Sequence, residues 1–351
     1  MSSTSVLIVD DSATQRRLIA DALSSHPDIE IAGEAADAYE ARDLVKQRNP
    51  DVLTLDVEMP GMNGLEFLGR LMRARPRPVI MVSSHTSRGD DAAIRALSMG
   101  AVACIGKPSG GNPGNLYRKL PELVRLASGA RMHQVTPAEG KDERRLRPRP
   151  VVDESFRPGN WLVAIGSSTG GVEALTAVLS HYPALCPPTV ISQHMPENFL
   201  RSLATRLDNF LPPKVSLAKD GDLLEPGRVF IAPGDRHVEI RGTDGRCRIA
   251  LSDAPAENGH RPSVDVMFRS LVPKARKVLA VQLTGMGNDG AAEMLSLRKA
   301  GARTIGQDKA TSMIYGMPAR AFELGAVERQ LPLEQIGAAI LDQTRRVARP
   351  N

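Results

Sequence analysis

Apolar and polar positions alternate in a regular cadence along the first part of the chain. Short apolar runs at residues 5–10, 29–34, 51–56, 78–83 and 101–105 are separated by amphipathic stretches such as 13–23 and 38–46. Runs this short suit strands, and the stretches between them carry helical spacing. The pattern predicts five strands, each followed by a helix, in a doubly wound parallel sheet over residues 1–128.

Residues 129–158 break the cadence. They are rich in charge and proline and lack apolar periodicity, which predicts a linker. The basic run 144–149 reads as part of a solvated linker, with capture of an acidic partner as the other reading. Alternation resumes over residues 159–349, predicting a second α/β domain. Strand-like segments precede helix-like stretches that start near Val172, Glu197 and Asp289. Between them, residues 214–251 hold short strand-like runs broken by Gly and Pro. They predict antiparallel hairpins set into a mostly parallel sheet.

Composition narrows the classes. The chain has 351 residues, beyond the usual size of a single core, so two domains are expected. Hydrophobic residues make up 42% and charged residues 24%, ordinary for a soluble globular protein. Aromatics are only 3%, which leaves few platforms for stacking nucleic-acid bases. The net charge of +5 is spread along the chain, so no concentrated basic domain points to nucleic acid. No apolar run is long enough to span a bilayer, and the N-terminus does not read as a signal peptide. Cys104, Cys186 and Cys247 lie far apart, which suggests reduced thiols and a cytoplasmic location.

In a parallel α/β sheet, ligands sit beyond the carboxyl ends of the strands. Asp10 and Asp11 end the first predicted strand, Asp56 the third and Ser83 the fourth; Lys107 follows the fifth. Any one strand-end Asp is commonly a cap. Three carboxylates on one rim repel unless a cation joins them, and hard oxygen ligands suit Mg²⁺. A lysine and a hydroxyl opposite would orient phosphoryl oxygens. These residues, with the LDVEMPGMNG run around Asp56 and the Lys107-Pro108 pair, resemble the receiver domain of two-component response regulators. The resemblance implies that Asp56 accepts a phosphoryl group from a histidine kinase, that Asp10, Asp11 and Asp56 hold Mg²⁺, and that Ser83 and Lys107 flank the phosphorylation site. Many receivers carry an aromatic switch residue where this chain has Cys104, so the aromatic relay is not expected here.

In the second domain, Gly166-x-Ser168-x-Gly170 follows a strand and opens a helix, as in a nucleophile elbow. The pattern also suits an anion-binding turn or a helix cap. A hydroxyl nucleophile needs a base and an orienting acid. Of His181, His194, His237 and His260, only His194 ends a buried-looking strand on the same rim as Ser168; His260 falls in a polar loop. Asp289 ends a third strand, where it could equally cap the following helix. The order Ser, His, Asp differs from that of the α/β-hydrolases.

The motifs GSSTGG, QHMP, HRPSVD and LTGMGNDG resemble the catalytic domain of the chemotaxis protein-glutamate methylesterases. The resemblance implies Ser168 as nucleophile, His194 as general base and acid, and Asp289 as orienter. It places an oxyanion hole near Met286 and the turn Thr169, Gly170 and Gly171. Ser167 stands where that family more often has Ala and is a second hydroxyl, but the STGG phase selects Ser168. Asp265 is a rival acid, read as structural or substrate-facing. The implied function is a phosphorylation-regulated serine hydrolase that demethylates, and deamidates, chemoreceptor side chains with no metal in the hydrolytic step. In that family the unphosphorylated receiver covers the catalytic face. Expected partners are chemoreceptors and a chemotaxis histidine kinase, without nucleic acid or membrane insertion, for a monomer. The alternative is a phosphorylation-switched binding protein with an idle serine site.

Overall fold

The structure, a computed structural model, describes residues 3–83, 87–107, 117–132, 155–242 and 246–346. The basic run 144–149, Pro108 and most of the expected linker lie outside the described residues. The chain divides into two compact units, Met1–Pro137 and Ala138–Asn351.

The first unit alternates strand and helix: β1 (Thr4–Val9), α1 (Ala13–Ser24), β2 (Ile29–Ala35), α2 (Ala38–Arg48), β3 (Val52–Asp56), α3 (Gly64–Ala74), β4 (Val79–Ser83), α4 (Ser87–Ser98), β5 (Ala103–Gly106) and α5 (Leu120–Ser128). The strands pair in the order β2-β1-β3-β4-β5, every pair parallel. Strands β3 and β4 are buried along their whole length because helices cover both faces, which is why their sequences are unbroken apolar runs. Side-chain caps start the helices. Ser12, Asp37 and Asn63 accept backbone N–H groups at the starts of α1, α2 and α3. Gly64 is required at the start of α3, since a Cβ there would lie 1.9 Å from the carbonyl oxygen of Asp56.

The second unit runs β6 (Leu162–Ser167), α6 (Gly171–Leu179), β7 (Thr189–Gln193), α7 (Glu197–Phe210), β8 (Lys214–Leu217), β9 (Arg228–Ile231), β10 (His237–Arg241), β11 (Arg248–Ser252), α8 (Val264–Leu271), β12 (Val278–Gln282), α9 (Ala291–Lys299), β13 (Arg303–Gln307), α10 (Met317–Glu323), β14 (Arg329–Leu331) and α11 (Leu333–Thr344). Seven strands form a parallel sheet in the order β14-β13-β12-β6-β7-β9-β8. The expectation of antiparallel hairpins over 214–251 holds only for β10 and β11. β8 and β9 instead extend the parallel sheet. The reason is burial: Val229, Phe230 and Ile231 are all interior, as in a strand covered on both faces, whereas β10 alternates and ends exposed.

Helix α8 supplies much of the packing on one face. Val264, Met267, Phe268 and Leu271 are fully buried among Ala164, Val190, Phe230, Ile240, Ala280 and Met294. Their spacing of three and four residues is that of one helix face. This packing fixes the start of α8 over the carboxyl ends of β6 and β12.

Candidate active site and acidic pocket

In the first unit, Asp10 and Asp11 directly follow β1, Asp56 ends β3, Ser83 ends β4 and Lys107 follows β5. Carboxylate oxygens of Asp10, Asp11 and Asp56 lie within 4.8 Å of one another. The Lys107 ammonium pairs with Asp56 Oδ2 at 2.8 Å and with Asp10 Oδ2 at 3.1 Å. Asp10 and Asp56 are buried, and Asp11 is exposed. Burial raises the Asp56 carboxyl to about 6, the nearby Asp10 charge adding to the rise and Lys107 opposing it. A site that packs three carboxylates against a single ammonium has the donor set of a hard divalent cation.

Tyr117 was not foreseen here. It is buried, adopts a left-handed φ of 60°, and donates its hydroxyl to Gln15 Oε1 at 2.8 Å. Burial, then the charges of Asp10 and Asp56, push its hydroxyl well above the usual tyrosine range. Its place rests on tertiary packing against α1, for which residues 108–117 carry no pattern. Cys104 occupies β5, paired in register with Met81.

In the second unit, β6 and β7 are neighbours, and Ser167 faces Gln193 in the ladder. The next residue on each strand is Ser168 and His194. The strand ends are tied by His194 N–H to Ser167 O, 3.1 Å, and by Ser168 N–H to Thr284 O, 3.0 Å. Ser167 is fully buried and donates its hydroxyl to Gln193 Oε1 at 2.6 Å. Gln193 in turn donates Nε2 to the carbonyls of Ser168 and His194. One buried amide therefore braces both strand ends, and the Ser167 hydroxyl is spent on holding it. Ser168 is only half-buried. Close packing shapes the turn: a Cβ on Gly171 would sit 2.0 Å from Gln193 Oε1, and one on Gly285 would sit 2.7 Å from Ser168 Cβ.

His194 Nε2 and Asp289 Oδ2 lie 2.7 Å apart. Burial favours the neutral form of Asp289, but the His194 bond and charge and the Val264 and Asp265 amides outweigh it, holding the carboxyl at about 2. An ionised Asp289 can only accept, so Nε2 carries the N–H of this bond, and in the neutral imidazole Nδ1 is then the lone-pair nitrogen. Nδ1 is buried and has no hydrogen-bond partner among the described residues.

Asp289 does not end a strand as expected. β12 stops at Gln282, and Asp289 lies in the loop before α9, whose cap is Gly290. Its carboxylate instead accepts from Ser263 Oγ at 2.8 Å, Val264 N at 2.7 Å and Asp265 N at 3.1 Å, all at the start of α8. Asp265 is not part of the pair. It is buried in the first turn of α8, accepting from Asn258 Nδ2 and Glu293 N. Ser263 and His260, both in the HRPSVD motif, also join the site, through contacts that the motif itself does not reveal. His260 stacks on His194 with ring centroids 3.8 Å apart and planes 6° from parallel.

Of the expected oxyanion neighbours, Gly171 N–H is engaged by Ser168 O at 2.8 Å. That leaves the Thr169, Gly170 and Met286 amides outside these bonds. Met286 is exposed beside the turn, following Gly285. Gly170 has φ 77°, the left-handed conformation that lets the chain leave β6 and enter α6 at once. No helix among the described residues is long and apolar enough to cross a membrane.

The family described as CheB methylesterase matches residues 163–340, and the response regulator receiver domain matches residues 6–120. A protein-glutamate methylesterase/protein-glutamine glutaminase of Agrobacterium fabrum is 52% identical over 341 residues, 97% of this chain and 96% of that protein. A relative with the same description from Pseudomonas aeruginosa is 47% identical over 346 residues, 97% of each chain. The crystal structure of the Thermotoga maritima CheB methylesterase catalytic domain is 36% identical, with a TM-score of 0.51, covering 53% of this chain and 100% of that one. With relatives matched along nearly their whole length, the chain belongs to the CheB methylesterase family, in the form that joins a receiver domain to the esterase domain.

Proposed function

We propose that this protein hydrolyses methyl esters of glutamate side chains on chemoreceptors, releasing methanol, and deamidates selected glutamines, under control of phosphorylation at Asp56. The observation that carries the reading is the His194–Asp289 pair, whose open Nδ1 lies at the end of the strand next to Ser168. Ser168 Oγ attacks the side-chain carbonyl while His194 Nδ1 takes its proton. Asp289 holds the tautomer and stabilises the imidazolium. The amides of Thr169 and Met286 are the candidate donors to the tetrahedral oxyanion, with Gly170 beside them. Collapse expels methanol, or ammonia from a glutamine, protonated by His194. Water activated by the same imidazole then releases the acyl group from Ser168 as a glutamate carboxylate.

Asp10, Asp11 and Asp56 would hold Mg²⁺, whose charge would offset that of an incoming phosphoryl group. Lys107 and Ser83 would orient its oxygens after transfer from a chemotaxis histidine kinase. A cytoplasmic, monomeric protein suits these partners. The alternative of an adaptor with an idle serine is not favoured, because a His–Asp pair suited to base and orienter lies at the end of the strand beside that of Ser168.

The test is methanol release from receptor-containing membranes methylated beforehand, with and without a small phosphodonor and Mg²⁺. Release that the phosphodonor stimulates and that Ser168→Ala abolishes is the expected result. Wild-type protein that binds these membranes yet releases no methanol would favour the adaptor.

A further inference from the structure

The stacking of His260 on His194 is not an arrangement that two free rings select. Aromatic pairs prefer offset or edge-on geometries with centroids about 4.5–7 Å apart. Here the centroids are 3.8 Å apart and the planes 6° from parallel. The backbone must impose the contact, and the means are visible. Glu257 and His260 exchange backbone hydrogen bonds at 3.1 and 2.9 Å across Asn258 and Gly259. Both central residues are left-handed, φ 53° and 80°, as an Asn-Gly hairpin turn requires.

The turn is anchored on two helices. Asn258 Nδ2 donates to buried Asp265 at 2.9 Å. The Arg269 guanidinium pairs with Glu257 and, at 3.0 Å, with Glu293 of α9. Just beyond the turn, His237 accepts from Ser263 N–H at 3.1 Å, and Ser263 itself bonds Asp289. The same short segment therefore carries His260 to one face of the His194 ring and a donor to the carboxylate at its edge.

We propose that His260 is a positioning residue for the esterase reaction, clamping the His194 ring in the plane that presents Nε2 to Asp289 and Nδ1 to Ser168. The inference rests on the esterase reading of this site. Among the described residues the His194 ring makes one hydrogen bond, to Asp289, and that bond by itself does not fix the plane of the ring. A flat side chain in van der Waals contact with the ring face removes that freedom and excludes water from that face. Burial, then the neighbouring His194, lowers the proton affinity of His260, with Asp289 opposing. The clamp therefore favours the uncharged ring, which adds no cation beside the imidazolium formed in the reaction.

The experiment compares His260→Ala with His260→Phe, which restores a flat ring without a titratable group. Ester turnover is read as kcat and KM separately, with thermal melting as a check on folding. The expected result is a kcat about tenfold or more lower in the alanine variant with KM little changed, and most of kcat recovered in the phenylalanine variant. A second readout does not depend on turnover. The Nε2 proton shared by His194 and Asp289 should give a downfield proton NMR signal that is sharp in wild type and His260→Phe and broadened in His260→Ala. Unchanged kcat in His260→Ala, or a phenylalanine variant as slow as the alanine one, overturns the proposal. If the wild type hydrolyses no ester, the esterase reading fails alone and the NMR signal decides the clamp: equal sharpness in His260→Ala overturns it, and broadening upholds it.

Discussion

Ser167 donates its hydroxyl to Gln193 at 2.6 Å in the interior, while Ser168, the next residue, follows the strand half-buried, its hydroxyl making no such bond among the described residues. Two adjacent serines thus have different surroundings, and the proposed mechanism gives them different duties. Ser168→Ala should cost on the order of 10⁴ or more in kcat for methanol release. Ser167→Ala should keep kcat within about tenfold and lower stability by about 1–3 kcal/mol, the cost of leaving the buried Gln193 Oε1 without its donor. A Ser167→Ala variant as inactive as Ser168→Ala would reverse the assignment.

Asp289→Asn tests the tautomer. A carboxamide can present N–H to His194 Nε2, which then becomes the acceptor and moves the proton to Nδ1, the nitrogen needed by Ser168. The expected loss in kcat is about 10⁴-fold. Stopped or slow methanol release checks it, and activity within about tenfold of wild type would remove Asp289 from the reaction.

Asp265 separates structural from catalytic acids and has its own pH signature. Burial, with the Asp289 charge adding and the Glu293 amide opposing, raises its carboxyl from 3.8 to about 6. The folded chain therefore keeps a proton across that window which the unfolded chain has released, so this residue's contribution to stability falls as pH rises from 3.8 through about 6. Asp265→Asn removes the titration. Its melting temperature should gain on that of wild type between about pH 4 and pH 7. Calorimetry at both ends checks the sign, and a difference that stays flat rejects it. Methanol release by this variant should stay within about tenfold of wild type.

Gly285→Ala places a Cβ 2.4 Å from Met317 Sδ and 2.7 Å from Ser168 Cβ. Both neighbours are held, Met317 in the core and Ser168 by its N–H bond to Thr284. The elbow must shift, and kcat should fall about 10²-fold. An unchanged kcat would mean that the turn accommodates a methyl group without moving Ser168.

For the receiver, Asp56→Asn should leave basal methanol release intact and abolish stimulation by a phosphodonor. In wild type, chelating Mg²⁺ should abolish the same stimulation. Stimulation that persists in the variant would place the phosphoacceptor elsewhere.

The rims of both sheets are legible in the sequence because their candidate groups follow apolar runs directly: Asp10 after β1, Asp56 at the end of β3, Ser168 after β6 and His194 after β7. Position along the chain and position in space coincide there. They part company at Asp289, whose place in a loop depends on the start of α8, a contact between distant segments. They part again at His260, where an Asn-Gly turn was visible only as a polar loop and its target was not visible at all. Of the short runs over 214–251, β10 and β11 form the expected hairpin while β8 and β9 join the parallel sheet, because Gly and Pro breaks alone do not tell the two pairings apart. The unbroken apolar run of β9 against the alternation of β10 was the discriminating signal.

Asp289 receives two amides and a hydroxyl from the first residues of α8, the helix whose other face fills the core. Its negative charge thus plugs the positive end of that helix while it orients the imidazole. Truncation to alanine would therefore be a compound lesion, unpinning the helix entrance and the turn behind it along with the base. The kinetic deficit of such a variant would overstate the chemical share of the carboxylate. The asparagine replacement, which with its NH2 toward His194 keeps an acceptor for Ser263 and Asp265 and loses only the Val264 bond, is the cleaner measure of it.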